Sequence, residues 1–184
     1  NIGGVGTEFV FSSFTRVREI ITTADRLGQE FAAAHAQTLP PVLSLQQAHH
    51  QASASQQALP EPFVEQHLEA VREGLLRMEG AVNEMVALLF KIDIFMTADE
   101  AEGAGQAVPV LTTSFNPREA LGHVSDLFHM YHAELLAKRE SLADLTCEEI
   151  DVDAFAARWQ RLDEVEQGKK QEVDDLADLL AGLG

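Results

Sequence analysis

Three side chains with metal-binding chemistry lie close together in the sequence, at Asp126, His129 and His132. On a helix, residues three apart lie on one face, so these side chains can share one metal ion. Carboxylate-bridged metal sites in helical bundles require a second unit of this kind on another helix. The sequence contains no second acidic residue three positions before a histidine. We therefore predict no metal site and no cofactor, with His129 and His132 at a surface or an interface.

Nucleophilic catalysis also lacks the residues that it needs. Cys147 is the only cysteine, and neither a Gly-x-Ser-x-Gly turn nor a phosphate-binding glycine loop is present. His49 and His50 lie in a polar tract and are expected in solvent. We predict that the protein is not an enzyme. A single cysteine also excludes an internal disulfide, which favours an intracellular location, nuclear or cytoplasmic.

Lys138 breaks the local pattern because it occupies an apolar position between Leu135 and Leu142 on a predicted helix. A buried ammonium group destabilises a fold unless it is paired or reaches solvent. Glu134 lies four residues earlier, at the spacing of a favourable helical ion pair. Two interpretations stay open. Lys138 pairs with Glu134 while reaching toward solvent, or Lys138 and Arg139 meet an acidic group on a partner helix and set its register.

The composition indicates a folded, acidic protein. Hydrophobic residues make up 46% of the 184 residues, which excludes a mainly disordered chain and is consistent with a single domain over residues 1–184. The net charge of -17 disfavours direct binding to nucleic acid and to anionic membranes. Both are negatively charged, and the proteins that bind them usually present basic surfaces. The longest apolar run, at 85–90, is too short to span a bilayer. The N-terminus lacks the pattern of a signal peptide.

One long heptad pattern predicts the longest helix of the protein, at about residues 63–97. Apolar residues alternate at spacings of four and three, which is the seam of a coiled-coil helix. Such a helix would be roughly 50 Å long and would need partner helices to cover its seam. The seam consists of Val64, Leu68, Val71, Leu75, Met78, Val82, Met85, Leu89, Ile92 and Met96.

The remaining sequence predicts further helices, and hence an all-α fold: an elongated helical bundle with coiled-coil-like packing. Pro40 and Pro41 are expected to end the first helix. The segment 98–115 is predicted to be a linker whose apolar stretch 108–111 lies along the helices or contacts a partner. The predicted helices cover about residues 12–37, 41–58 (a weak pattern), 116–146 and 151–181, the last bent near 168–170.

Asn116, Pro117 and Glu119 carry the strongest helix-start signal in the chain. Asparagine is a favoured N-cap, proline suits the first helical position, and a glutamate three residues after the cap completes a capping box. We expect a helix to begin there. Gly74 and Gly80 each lower helix stability by about 1 kcal/mol relative to alanine, and either permit close packing or are simply tolerated.

The segment 127–139 resembles the CINP/AIRIM family of helical adaptors, in which a Met-Tyr-x-x-Glu-Leu-Leu-x-Lys-Arg run lies on a late helix. The stretch 112–115 resembles the segment that precedes this helix in the family, and Trp159 lies about where a tryptophan follows it. The resemblance implies a non-enzymatic adaptor of the kind that forms a heterodimer and docks on an AAA-type ATPase of late ribosome maturation. It also implies links to cyclin-dependent kinase and genome maintenance.

Our leading prediction is a non-enzymatic adaptor or scaffold subunit that pairs with a second helical chain, as a homo- or heterodimer, and docks on a larger assembly. The alternative is a structural coiled-coil component of a kinetochore or tethering complex; a metal-dependent helical-bundle enzyme is a third, weaker hypothesis. The predicted partner-binding residues are Tyr131, Glu134, Leu135, Lys138, Arg139 and Trp159, with Val64, Leu68, Val71 and Leu75 of the long helix.

Overall fold

The structure is a computed structural model that describes the backbone of residues 5–103 and 116–183, and the side chains of 13–98 and 116–183. Within these residues the chain forms five helices and no strand, which confirms the predicted all-α bundle. The stretches 108–111 and 112–115, for which sequence predictions were made, lie outside the described residues. The helices are α1 (Val5–Ala54), α2 (Glu61–Gly103), α3 (Pro117–Thr146), α4 (Val152–Gln160) and α5 (Gln167–Ala181).

Helix α1 continues through Pro40 and Pro41, so the predicted break between helices 12–37 and 41–58 is wrong. A proline inside a helix removes one backbone hydrogen bond and costs about 3 kcal/mol or more. Here the same face of the helix is buried on both sides of the prolines, with Thr38 before them and Val42 and Leu45 after them. Burial of those side chains offsets the local cost, which a pattern in sequence alone does not reveal.

Helix α2 is unbroken at Gly74 and Gly80 and extends to Gly103, so residues 98–103 are helix rather than linker. With 43 residues it is shorter than the 50-residue α1, and the prediction that it is the longest helix is wrong. Each position of its predicted seam is buried or half-buried.

Helix α3 begins where predicted. The Oδ1 atom of Asn116 accepts a hydrogen bond from the backbone N–H of Arg118 at 3.0 Å, which confirms Asn116 as the N-cap.

The last predicted helix, 151–181, is two helices separated by residues 161–166 rather than one helix bent near Gly168. Asp151 caps the start of α4 by accepting from the Ala154 N–H at 2.7 Å. The chain leaves α4 at Arg161, whose backbone is extended, with φ −83° and ψ 146°. Val165 in the connection is buried, which fixes this segment against its own unit.

The contacts divide the chain into two compact units. The first combines Asn1–Gly28, Asn83–His129 and Glu166–Gly184, and the second combines Gln29–Val82 and Met130–Val165. The core of the first unit includes Ile21, Leu27, Met85, Leu121, Leu127, Val173 and Leu180. The core of the second includes Phe31, Val42, Val71, Met78, Tyr131, Leu135, Phe155 and Trp159.

In the described part of the chain, no helix is long and apolar enough to cross a membrane.

Candidate functional site beneath helix α4

Five polar or aromatic side chains meet inside the second unit, and we call them the α4 capping cluster. They are His35 and Thr38 from α1, Glu134 and Lys138 from α3, and Trp159 from α4. Each is at most 4% exposed. Buried polar groups destabilise a fold unless they find hydrogen-bond partners, so the contacts of this cluster decide its role.

The cluster binds the carboxyl end of α4. The last four carbonyl groups of a helix lack partners within the helix, and that end carries partial negative charge. The ammonium group of Lys138 donates to the carbonyl of Arg158 at 3.3 Å and to that of Arg161. The Nε2 atom of His35 donates to the carbonyl of Trp159 at 2.7 Å. Side chains from two other helices therefore cap α4, in place of the usual glycine.

Glu134 neutralises Lys138 and extends the same contact to the next segment. Its Oε1 lies 2.8 Å from Lys138 Nζ, and its Oε2 accepts from the backbone N–H of Glu164 at 2.8 Å. Both carboxylate oxygens are thus paired. A buried ion pair is tolerated when its remaining hydrogen-bonding positions are satisfied, as they are here.

Trp159 joins the cluster through both its side chain and its backbone. Its indole N–H donates to Thr38 Oγ1 at 2.7 Å, and the Thr38 hydroxyl in turn donates to the His35 carbonyl at 2.5 Å. Lys138 Nζ lies 5.8 Å from the indole ring centre, within reach of a cation–π interaction. His35, Thr38 and Trp159 form a closed ring of contacts between α1 and α4.

Gly74 makes room for this ring. A Cβ atom at position 74 would overlap Thr38 Cγ2 and would lie 3.3 Å from the carbonyl oxygen of Ala34. Gly80 has nothing within 4 Å of such an atom. Gly74 therefore permits the close approach of α2 to α1, whereas Gly80 has no packing role.

Burial lowers the pKa of His35 below its ordinary value of 6.5, and the nearby charge of Lys138 lowers this pKa further. The hydrogen bond to the Trp159 carbonyl and the charge of Glu134 act in the opposite direction but are smaller in sum. His35 is thus neutral at neutral pH. Because a carbonyl oxygen only accepts, Nε2 carries the proton.

A polar cleft of about 270 Å³ opens beside the Glu134–Lys138 pair, with Ser141, Arg158 and Glu164 among its lining residues. The two buried charges on its wall are already paired with each other and with backbone groups. The cluster therefore has a structural role: its side chains donate hydrogen bonds to backbone carbonyls at the end of α4.

The structure places most of the predicted partner-binding residues in the interior of the second unit. The following side chains are buried there, and a role for them in partner binding stays a prediction: Tyr131, Glu134, Leu135, Lys138, Trp159, Leu68 and Val71. The ring of Tyr131 packs on Phe31, with ring centres 4.7 Å apart.

Arg139, Val64 and Leu75 keep some accessible surface. The Arg139 guanidinium is 43% exposed and pairs with Glu79 of α2, so its acidic partner lies in the same chain. Val64 and Leu75 are half-buried. A role in partner binding for these three residues stays a prediction.

His129 and His132 are exposed on α3, as is Asp126. Among the described side chains, no group of three histidine, cysteine or acidic residues has the geometry to hold a metal ion.

Sequence analysis missed His35 and Thr38 as members of the site. His35 occupies an apolar position of the first helix pattern, after Phe31, and a polar residue at such a position was the signal that pointed to Lys138. The signal was present, but its partner Trp159 is 124 residues away in sequence.

The first unit carries a different feature, an exposed apolar stripe on α2. Phe90 and Ile94 are each 68% exposed, and Ala87 on the same face is also exposed. Residues at this spacing form one continuous strip along a helix. We call Ala87, Phe90 and Ile94 the α2 stripe.

Comparisons with protein-family models, curated proteins and solved structures give no match to this chain.

Proposed function

We propose that the protein is a non-enzymatic helical adaptor or scaffold subunit that binds a helix of another protein chain through the α2 stripe. The observation that carries this proposal is the exposure of Phe90 and Ile94, two large apolar side chains one helical turn apart. Scattered exposed apolar residues need no explanation, whereas a contiguous apolar strip favours an interaction site.

The form of the stripe suits a helical partner. Ala87, Phe90 and Ile94 follow the spacing with which one amphipathic helix packs on another. Full burial of each large side chain would stabilise a complex by about 1.5–3 kcal/mol before the entropic cost of association.

The surroundings of the stripe also resemble a binding surface. Glu84, Lys91 and Asp93 are exposed beside it, and the Glu84 carboxylate lies 3.7 Å from the Arg26 guanidinium. An apolar centre with a charged rim is the usual composition of a protein–protein interface. The rim would favour one register of the partner over others without adding much affinity.

The resemblance of residues 127–139 to the CINP/AIRIM adaptors supports an AAA-type ATPase complex of ribosome maturation as the larger assembly. A nuclear or cytoplasmic location belongs to the same proposal. The alternative, a structural subunit of a kinetochore or tethering complex, uses the same kind of interface and differs in the identity of the partner.

The test replaces Phe90 and Ile94 together by glutamate. The matched control is Leu76→Glu, because Leu76 is 65% exposed on the same helix but lies in the second unit. Circular dichroism first establishes that both variants keep the helicity of the wild type. Native mass spectrometry of the purified proteins then measures self-association, and quantitative affinity capture from the source cells measures the binding of other chains.

We expect one helical chain, a second copy or a different protein, to bind the wild type and the Leu76→Glu variant but not the double variant. If every bound protein is retained equally by all three, or if the wild type binds nothing, the proposal is wrong. The identity of a lost partner separates the ATPase assembly from the tethering alternative.

A further inference from the structure

His35 is the point at which α1 holds the backbone of α4. It is almost fully buried, and its Nε2–H donates to the Trp159 carbonyl at 2.7 Å. The same turn of α1 holds the indole of Trp159 through Thr38. A buried titratable side chain thus lies inside the contact that attaches α4 to α1.

If His35 were protonated, the groups that face it would not neutralise its positive charge. From α3, Lys138 contributes a like charge, and Glu134 contributes the nearest negative charge. Glu134 is already engaged with Lys138 Nζ and with the Glu164 N–H. From α4 the group in contact is the Trp159 carbonyl. Helix α2 faces this turn of α1 with Gly74, which has no charge, and with the exposed Arg77, a further positive charge whose guanidinium donates to Gln37 Oε1.

We propose that protonation of His35 loosens the attachment of α4, so that residues 152–161 open locally more often in mildly acidic solution. An imidazolium at this position would be a second buried cation beside Lys138, in a space closed by Trp159 and Thr38. Opening α4 releases this strain because it admits water to His35. The proton therefore acts on α4 before it acts on the rest of the bundle.

The direction of the effect follows from the protonation of the two states. In the closed state the pKa of His35 lies below 6.5, and in the open state it returns toward its ordinary value. The open state therefore binds more protons, and the opening constant increases as the pH falls through about 6.5. One proton limits the increase to about tenfold per pH unit, and the increase stops below the pKa of the closed state.

Hydrogen–deuterium exchange of the full chain tests the proposal. Protection factors, corrected for the intrinsic pH dependence of exchange, are measured between pH 7.5 and pH 5.5 for residues 152–161 and for α3 residues 118–128 of the first unit as reference. We expect protection of 152–161 to fall by up to about tenfold per pH unit below 6.5, while the reference stays constant. Fluorescence of Trp159, the only tryptophan, gives a second readout of its burial.

The variant His35→Gln keeps a side-chain N–H donor but does not titrate, and its protection should be independent of pH over this range. His50→Gln is the control, because the exposed His50 also contacts α4, through Asp153 at 2.6 Å. His50→Gln should keep the acid-dependent opening. If His35→Gln does not fold, His35→Asn takes its place.

Three results would overturn the proposal. The first is a wild-type protection factor that does not change with pH, and the second is the same pH dependence in the His35 variant. The third is an equal loss of protection in the reference segment, which would mean that acid unfolds the protein as a whole.

Discussion

Lys138 Nζ lies 2.8 Å from Glu134 Oε1, one turn earlier on α3, and both side chains are 2% exposed. The pair is not a surface salt bridge that reaches toward a partner. It links α3 to the end of α4 and, through the Glu164 N–H, to the connection that follows.

The first prediction concerns loss of the buried cation. Lys138→Ala leaves the Glu134 carboxylate buried without its counter-ion and frees two carbonyl groups of α4, so the free energy of unfolding should fall by about 3–5 kcal/mol. Urea denaturation measures this change. The exposed pair Lys169–Glu166, 3.4 Å apart, gives the control: Lys169→Ala should change stability by less than about 1 kcal/mol.

A loss as small as that of the control would contradict the capping role of Lys138. Because Lys138 is an internal residue, its substitution measures stability, whereas Arg139→Ala probes the surface.

Local patterns predicted the features that depend on neighbours in sequence. The spacing of four residues indicated the pairing of Glu134 with Lys138 as one of two interpretations, and the pair forms, although Lys138 is buried rather than reaching toward solvent. Residues 116–119 predicted the start of α3, which is confirmed. The continuity of α2 was also predictable from a local pattern, because a long apolar seam can be seen in the sequence without knowing which helices cover it.

Features that depend on distant residues could not be predicted in this way. The path of α1 through Pro40 and Pro41 depends on the burial of Val42 and Leu45, which is a property of the folded unit. The contact between Thr38 and Trp159 joins residues 121 positions apart. The charge of Lys138 at an apolar position is visible in the sequence, but its contact with the carbonyls at the end of α4 depends on the three-dimensional arrangement.

The second prediction contrasts the two glycines of α2. Gly74→Ala places a methyl group against Thr38 Cγ2, displaces the acceptor of the Trp159 indole and should destabilise the protein by about 1–3 kcal/mol. Gly80→Ala meets open space and should stabilise it by up to about 1 kcal/mol through helix propensity. Thermal unfolding of the two variants side by side is the measurement. If both substitutions changed the melting temperature in the same direction, α1 and α2 would not be closely packed at Gly74.

The third prediction concerns the ends of α1 and α3, which share one capping motif. After α3, Glu148 has φ 59°, and the Glu149 N–H bonds to the Asp144 carbonyl at 2.8 Å. After α1, Gln56 has φ 53°, and the Gln57 N–H bonds to the Ala52 carbonyl at 2.9 Å. This is the Schellman arrangement, in which glycine is the favoured residue at the left-handed position.

Glu148→Gly and Gln56→Gly should therefore each stabilise the protein by roughly 0.5–1 kcal/mol, since relief of the left-handed strain exceeds the added entropy of the unfolded chain. Glu149→Gly, one position later, lacks this strain and should not stabilise. The midpoint of urea unfolding distinguishes these variants. A destabilised Glu148→Gly variant would mean that the glutamate side chain contributes more than its backbone costs.

The fourth prediction concerns Asp25 of the first unit, whose pKa is raised above 3.8 by burial and then by the charges of Asp174 and Asp178 on α5. Lys170 opposes this shift, and a hydrogen bond with Asp174 adds to it. Because the folded state holds the proton more tightly than the unfolded state, stability falls as the pH rises through the interval between 3.8 and the raised pKa. At neutral pH the Asp25 carboxylate is therefore destabilising relative to a neutral side chain of the same shape.

Asp25→Asn should raise the melting temperature at pH 7, and the gain should shrink as the pH falls toward and below 3.8, where the wild-type carboxyl becomes protonated in the unfolded state as well as in the folded state. Asp175→Asn is the control, since Asp175 lies on the same helix as Asp174 but is exposed and accepts a hydrogen bond from Gln171 at 2.8 Å. Calorimetry across this pH range, at constant ionic strength, compares the two variants with the wild type. A gain that is independent of pH, or an equal gain for Asp175→Asn, would assign the effect to the overall negative charge of the protein. A gain confined to Asp25→Asn at higher pH would assign the effect to the burial of the Asp25 carboxylate and its proximity to Asp174 and Asp178.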